Sequence, residues 1–135
     1  MTDAAVSEAV QRITLTVPGE RRCIGIARLF VGGLAARLDL GYETMDDLQL
    51  AIESVLGRSV SSREITLEAN VADNSVSILV GPLDRDPLQA DASRPDTLEL
   101  ARLLSALVSS AESISRDGGR WVRLDVPIPA GSGSA

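Results

Sequence analysis

The chain has 135 residues and a formal net charge of −6, a size that suits one domain with one core. Its acidic balance opposes direct nucleic-acid binding, because phosphate contacts depend on clustered basic charge. The sequence contains no histidine and one cysteine, Cys23. It therefore excludes Ser/His and Cys/His catalysis, an intrachain disulfide and a zinc cluster.

The first residues carry two acids and no apolar run, which predicts neither a signal peptide nor a membrane anchor. We expect residues 1–11 to form a flexible leader. The apolar stretches elsewhere in the chain are too short to span a bilayer. These features together predict a cytoplasmic protein.

The first half of the chain predicts a strand followed by two helices. Alternation of Ile, Leu and Val with threonine is typical of a half-buried strand, which ends at Pro18. Apolar residues then recur at spacings of three and four, as on one face of a helix. Thr44 with Asp47 can cap a second helix. The predicted elements are a strand at 13–17 and helices at 21–38 and 44–57.

The second half predicts a hairpin, a loop, a third helix and a last strand. Asp73 and Asn74 separate two alternating runs, and a proline-rich loop without periodicity follows. Asp96 and Glu99 form a capping box ahead of a long apolar stripe that continues to Ile114. The predicted elements are strands at 65–71 and 76–80, a loop at 81–95, a helix at 96–114 and a strand at 122–126.

This order of elements resembles that of a compact GHKL (Bergerat) domain. The resemblance implies an α/β protein, specifically an α+β two-layer sandwich in which three helices pack on one face of a mixed sheet. Leu103 and Leu107 of the third helix are expected in the core. One domain would cover residues 12–128. The tail at 129–135 has the composition of a flexible linker.

The segment ITLTVPGERRCIGIARLFVGGLAARLDLGYETMDDLQLAIESV resembles the opening of RsbW-type anti-sigma factors, serine kinases of the GHKL (Bergerat) ATPase superfamily. In that family a strand ends in Val-Pro, and a later helix reads Asp-x-x-x-Ala-Val-x-Glu-Ala-x-x-Asn. The closing stretch LELARLLSALVSSAESISRDGGRWVRLDVPI is similar to the family's last helix and strand. The resemblance covers most of residues 12–128. The residues in step with the opening are Val17, Pro18, Tyr42, Asp47, Ala51 and Ile52.

The family's chemistry uses a Glu on the second helix as catalytic base and, one helical turn later, an Asn that coordinates Mg²⁺. Those positions hold Ser54 and Arg58. A guanidinium cannot ligate Mg²⁺, because it has only donors and a positive charge. Two interpretations stay open, namely drift at a surface without a ligand and a remodelled pocket in which Arg58 clamps an anion. Glu53 lies one position before Ser54 and could serve as the catalytic base, but the simpler interpretation is a solvent-exposed residue on the helix surface.

The family's other two nucleotide motifs are also replaced in this sequence. An Asp-x-Gly-x-Gly motif corresponds to GPLDR, which places Gly81 and Leu83 at pocket positions. A Gly-x-Gly box at the start of the third helix corresponds to TLEL, with Thr97 and Glu99. Glu99 would put a negative charge where phosphates bind. We therefore expect no cofactor, no metal and no enzymatic activity.

By resemblance, we expect an anti-sigma-factor-like binding protein that sequesters a sigma factor or docks a STAS-domain anti-anti-sigma protein, without binding ATP. One alternative is an ATP-dependent serine/threonine kinase of the anti-sigma type with a remodelled nucleotide pocket. Another is a noncatalytic dimerisation or scaffold module. A homodimer is compatible with each of these functions.

Four residues are candidates for partner binding: Arg21, Arg22, Trp121 and Arg123. Arg21 and Arg22 begin the first helix, where the helix dipole disfavours cations. Trp121 and Arg123 fall on the polar side of the last strand, and an exposed tryptophan flanked by charge suits an interface hot spot. The alternatives are simple solvation of the arginines and coverage of Trp121 by the leader.

Overall fold

The computed structural model describes residues 11–58, 63–84, 86–88 and 95–129, and for residues 95–98 it describes the backbone alone. The described chain forms three α-helices, one short 3-10 helix and five strands. In chain order they are β1 (Gln11–Pro18), the 3-10 helix (Arg21–Cys23), α1 (Ile24–Arg37), α2 (Tyr42–Gly57), β2 (Glu64–Val71), β3 (Ser75–Leu83), α3 (Pro95–Leu107), β4 (Ser110–Arg116) and β5 (Gly119–Pro127).

The strands form one sheet in the order β1-β2-β3-β5-β4. Alternate residues of the strands point to one side of this sheet, where they meet apolar side chains of all three helices in a single core. The predicted α+β two-layer class is confirmed. Fully buried members of the core include Val31, Leu48, Ile52, Leu67, Ile78, Leu100, Leu104 and Leu124.

The sheet is antiparallel at every neighbouring pair of strands, so the prediction of a mixed sheet is wrong. The reason is β4, a strand that the sequence prediction lacked. The chain runs along the edge of the sheet in β4 and then returns as β5, which places β5 antiparallel to both β4 and β3. A direct passage from a helix into the last strand would have favoured a parallel crossover.

The third helix ends at Leu107, and residues predicted as its last two turns form β4 instead. Ala111 and Ile114 continue the helical spacing of the preceding leucines, but in the structure they pair with Leu124 and Trp121 of β5. Asp117 and Gly118 both have positive φ, at 51° and 75°. These values match the tight turn that joins two antiparallel strands, and the pairing with β5 outweighs the helical periodicity.

The apolar stripe predicted for α3 contains four leucines, and two of them are fully buried. Leu100 and Leu104 are fully buried, whereas Leu103 and Leu107 are half-buried. Leu107 still packs against the core. The burial of Leu100 and Leu104, one helical turn apart, defines the face of α3 that packs on the sheet.

Three predicted boundaries change. The second helix starts at Tyr42, two residues before the predicted cap at Thr44, and its N-cap is Gly41 without a side-chain hydrogen bond. β3 continues through Gly81 to Leu83, into the predicted loop. β1 begins at Gln11, inside the predicted leader. The remaining leader, most of the loop and residues 130–135 lie outside the described residues.

Within the described ranges, none of the helices has the length and apolar character needed to cross a bilayer.

Candidate functional site

Ser54 and Arg58 lie one turn apart at the C-terminal end of α2. Ser54 is half-buried, and its Oγ donates a hydrogen bond to the Leu50 carbonyl at 2.7 Å. Arg58 is exposed at the C-cap, where its backbone N–H donates to the Val55 carbonyl at 3.3 Å. A hydroxyl and a guanidinium one turn apart can both donate to an anion. The arrangement supplies no oxygen ligand set for a divalent cation.

Glu53 does not share the side of α2 that carries Ser54. Its carboxylate Oε2 lies 3.7 Å from Arg28 Nε of α1, and one position along a helix rotates a side chain by about 100°. Both side chains are at least partly exposed. This exposed ion pair accounts for the placement of Glu53 without a catalytic role.

Gly81 and Leu83 are both buried, and packing within the domain explains the residue type at each position. A Cβ at Gly81 would lie 2.5 Å from Trp121 Cδ2 and 2.6 Å from Trp121 Cγ, closer than real Cβ atoms approach other atoms. The strand position therefore requires glycine because the indole occupies the space. Leu83 is 3% exposed and belongs to the hydrophobic core.

Of the two predicted pocket positions on α3, Thr97 and Glu99, only Glu99 has a described side chain. Glu99 is exposed on the first turns of the helix. The side chain of Thr97 lies outside the described residues. The six candidate pocket positions thus fall on α2, β3 and α3, and the side chains described among them range from exposed to fully buried.

The sheet face opposite the helices carries a buried charge that sequence reasoning missed. Glu68 of β2 is 7% exposed. Arg116 of β4 binds it in bidentate fashion, from Nη2 to Oε1 at 2.9 Å and from Nη1 to Oε2 at 3.1 Å. Asn70 Nδ2 donates to the same Oε2 at 3.0 Å, and the Arg116 guanidinium lies 5.0 Å from the centroid of Trp121. We call Glu68, Asn70, Arg116 and Trp121 the Glu68 cluster.

The hydrogen bonds from Arg116 lower the pKa of Glu68, with smaller contributions from Asn70, Arg116 charge and Arg12, while burial opposes the shift. The Glu68 carboxylate in turn raises the pKa of Arg116. A carboxylate that is held ionised by a bidentate partner is a poor proton acceptor at neutral pH. The Glu68 cluster is therefore a structural ion pair rather than an acid–base site.

Trp121 is not exposed, so that part of the prediction is wrong. Its residue accessibility is 9%, because the ring packs against the backbone at Gly81 and lies under the Arg116 guanidinium. Arg123 is exposed, but its Nε contacts Asp125 Oδ1 at 3.1 Å and its Nη2 lies 3.4 Å from Ser77 Oγ. A signal for the cluster was present in the Asp117-Gly118 turn, which places Arg116 near Trp121 across a hairpin.

Arg21 and Arg22 are exposed in the 3-10 helix that leads into α1. Arg22 Nε contacts Glu20 Oε1 at 2.6 Å. The N-terminus of α1 has no acid in its first turn and no side-chain cap at Cys23. Residues 21–38 contain four arginines and no acid. The start of α1 therefore has a local excess of positive charge, with Glu20 as the acid beside Arg21 and Arg22, in a chain whose net charge is −6.

The fold and these positions define a two-layer α+β domain whose sequence resembles anti-sigma-type kinases. No family model matches the sequence. The chain is 28% identical over 76 residues to "Serine-protein kinase RsbW" of Listeria innocua, covering 51% of this chain and 48% of the relative. It is 27% identical over 75 residues to the protein of the same name from Oceanobacillus iheyensis, covering 50% and 48%. It is 27% identical over 103 residues to that of Bacillus thuringiensis, covering 65% and 64%.

The chain therefore spans about half the length of the first two relatives. The prediction that the chain is not an enzyme is contradicted by these names, since each of the three relatives is named as a serine-protein kinase. Sequence reasoning reached the opposite conclusion because it compared three short motifs, while the similarity extends over 75 residues or more.

Proposed function

We propose that this chain is a regulatory protein of the anti-sigma type, which acts by binding a sigma factor or a STAS-domain anti-anti-sigma protein. The observation that carries the proposal is the exposed pair Arg21 and Arg22 at the start of α1. Cations at this end of a helix oppose the helix dipole, and the exposed contact between Arg22 and Glu20 offsets little of that cost. An acidic surface on a partner would offset that cost. The similarity to proteins named RsbW supports the same proposal.

Copurification from the native host tests this function. We expect a tagged chain to retain a sigma factor or a STAS-domain protein, identified by mass spectrometry. The double variant Arg21→Ala/Arg22→Ala should lose the partner, whereas Arg102→Ala, which removes an exposed arginine on α3, should keep it. Recovery of neither protein class with the unmodified chain would contradict the proposal.

A second function, phosphorylation of a serine on the bound partner, is favoured by the names of the relatives. In this reaction the serine hydroxyl attacks the γ-phosphorus of ATP and ADP leaves, while the hydroxyl proton passes to a base or to water. The donors of Ser54 and Arg58 could bind phosphate oxygens at the end of α2. The reaction would then use a different pocket chemistry from the family pattern.

Transfer of labelled γ-phosphate to the partner tests this second function. We expect Arg58→Ala to reduce the rate of transfer by at least about tenfold if Arg58 binds the phosphates, and Arg102→Ala to leave it unchanged. Calorimetric titration with Mg-ATP reports binding independently of transfer. Transfer that is unaffected by Arg58→Ala would exclude this pocket, and a chain that neither binds Mg-ATP nor transfers phosphate would exclude the second function.

A further inference from the structure

The outer side of α1 and of the 3-10 helix before it presents a stripe of residues that the described part of the chain leaves exposed. We call Arg22, Ile26, Leu29, Gly33 and Arg37 the α1 stripe; they follow one another at spacings of four, three, four and four. Leu29 is 77% exposed and Ile26 is 47% exposed. Residues at these spacings share one face of a helix. The core of the domain uses other residues of α1, namely Ala27, Val31, Leu34 and Ala35.

The stripe borders an apolar groove between α1 and β1. This groove has a volume of about 310 Å³. Arg37 lines the groove at the C-terminal end of the α1 stripe, and the other lining residues are apolar. The groove can therefore take in one or two apolar side chains of a partner that lies along α1. The residues that line it are Ile13, Leu29, Phe30, Gly33, Leu34 and Arg37.

The glycines of α1 differ in whether a side chain at their position would contact the rest of the domain. A Cβ at Gly32 would lie 3.1 Å from Gln49 Nε2 of α2, so packing between the helices favours glycine there. A Cβ at Gly25 or Gly33 would meet no atom within 4 Å. Glycine in a helix interior is less stable than alanine by about 1 kcal/mol. Two exposed glycines without an internal contact fit a surface that another backbone approaches closely.

The charge of the α1 surface restricts which partner segment can dock on it. Four arginines lie within residues 21–38, with no acid among them. Two of the four contact acids of this chain, Glu20 and Glu53, but these ion pairs are exposed and contribute little, so the surface keeps a net positive charge. A second copy of this chain would bring two such surfaces together in a symmetric contact, where each stripe faces itself and the arginines repel. A segment with acidic side chains beside an apolar face matches both the charge and the exposed Ile26 and Leu29.

We propose that the α1 stripe is a docking site for an amphipathic helix with acidic flanks, supplied by the partner protein. This inference rests on the proposed function, and it names the chemistry of the partner surface. The apolar face of the partner helix packs on Ile26 and Leu29 and reaches the groove, and its acids pair with Arg22 and Arg37. Gly33 lets the two helices approach.

A designed helical peptide provides the probe. One version carries leucine on one face with glutamate on both flanks, and a matched version has lysine in place of every glutamate. Fluorescence anisotropy with the full chain should show saturable binding of the glutamate peptide and at least about tenfold weaker binding of the lysine peptide. Leu29→Ala should weaken glutamate-peptide binding about tenfold. The control Leu50→Ala, which trims an exposed leucine on α2, should leave it unchanged.

A charge exchange and a glycine substitution extend the test. Arg37→Glu should reverse the preference, so that the lysine peptide binds more tightly than the glutamate peptide, while Arg102→Glu on α3 should not. Gly33→Ala should raise the thermal midpoint by about 3 °C and at the same time weaken peptide binding. A gain in stability together with a loss in binding separates a contact surface from damage to the fold.

Three results would overturn the proposal. The first is equal binding of the two peptides, or none. The second is a dimer of the full chain in sedimentation that Leu29→Glu converts to a monomer, which would assign the stripe to a second copy. The third is tighter peptide binding after removal of residues 1–10, which would assign it to the chain's own leader. If the partner is captured as proposed and the stripe variants do not affect it, this inference fails while the proposed function stands.

Discussion

At the scale of single residues, Trp121 and Gly81 show how one side chain dictates another across the sheet. The indole fills the space that a Cβ of residue 81 would need, and the Arg116 guanidinium lies over the same ring, 5.0 Å from its centroid. Arg116 also satisfies the Glu68 carboxylate, so four strands of the sheet are linked by one set of contacts. The identity of Gly81 therefore follows from the packing of Trp121 rather than from a ligand.

Gly81→Ala should destabilise the fold by about 1–3 kcal/mol, because the added methyl group must displace the indole or the strand. Urea denaturation followed by tryptophan fluorescence measures the change. Gly25→Ala is the matched control. It adds the same methyl group where no atom lies within 4 Å, so it should stabilise the protein by up to about 1 kcal/mol. A neutral Gly81→Ala would disprove the close packing of Trp121.

Glu68→Gln should cost about 1–3 kcal/mol at neutral pH, because the variant loses the charge-assisted hydrogen bonds from Arg116. The pKa of Glu68 is lower in the folded protein than its ordinary value of 4.5. Its contribution to stability is thus present above that value and is lost as the pH falls through the folded-state pKa.

Denaturation from about pH 6 to about pH 3 checks this dependence. We expect the stability difference between the unmodified chain and Glu68→Gln to shrink as the pH falls. The exposed Glu112 on β4 provides a control, since Glu112→Gln should change stability little at either pH. A difference that stays constant across this range would mean that ionisation of Glu68 does not stabilise the fold.

At the scale of elements, α3 and β4 show where local pattern and tertiary pairing compete. Leu100 and Leu104 anchor α3 in the core, and the helix ends where the chain can pair with β5. Residues 110–116 contain three serines and only two apolar residues. A strand at the edge of the sheet needs only one side to be covered, so this composition suits β4 better than a buried helix.

Leu104→Ala should destabilise the protein by about 2–4 kcal/mol, because it leaves a cavity beneath α3. Leu103→Ala should cost clearly less, since Leu103 is half-buried. Chemical denaturation of the two variants under one set of conditions measures this difference. A larger loss for Leu103→Ala would mean that α3 packs on its other face.

At the scale of the whole molecule, alternation and helical spacing were enough to predict β1, α1, α2 and the β2–β3 hairpin, while the two-layer class was predicted from the family resemblance of their order. These elements bury one continuous apolar face, so their local patterns agree with the fold. β4 and the sheet direction were not predicted, because Ala111 and Ile114 continue the helical spacing of α3, and only their pairing with Leu124 and Trp121 across the hairpin favours a strand. Trp121 was placed on the correct side of its strand, but its burial depends on Arg116, which no periodicity reveals.

The proposed binding site was also predicted from the sequence only in part. Arg21 and Arg22 were predicted from the charge preference of a helix end, and the structure places both at an exposed surface. The α1 stripe needed accessibility, because sequence periodicity does not distinguish the core side of a weakly amphipathic helix from its outer side. Partner binding through the start of α1 remains the central proposal for the molecule.

The most direct test is calorimetric titration of the chain with a sigma factor and with a STAS-domain protein from the native host. We predict saturable binding of at least one of them, with affinity reduced at least about tenfold by Arg21→Ala/Arg22→Ala and unchanged by Arg102→Ala. Binding of neither protein, or equal affinity for the unmodified chain and the double variant, would contradict the proposal that the start of α1 binds a protein partner.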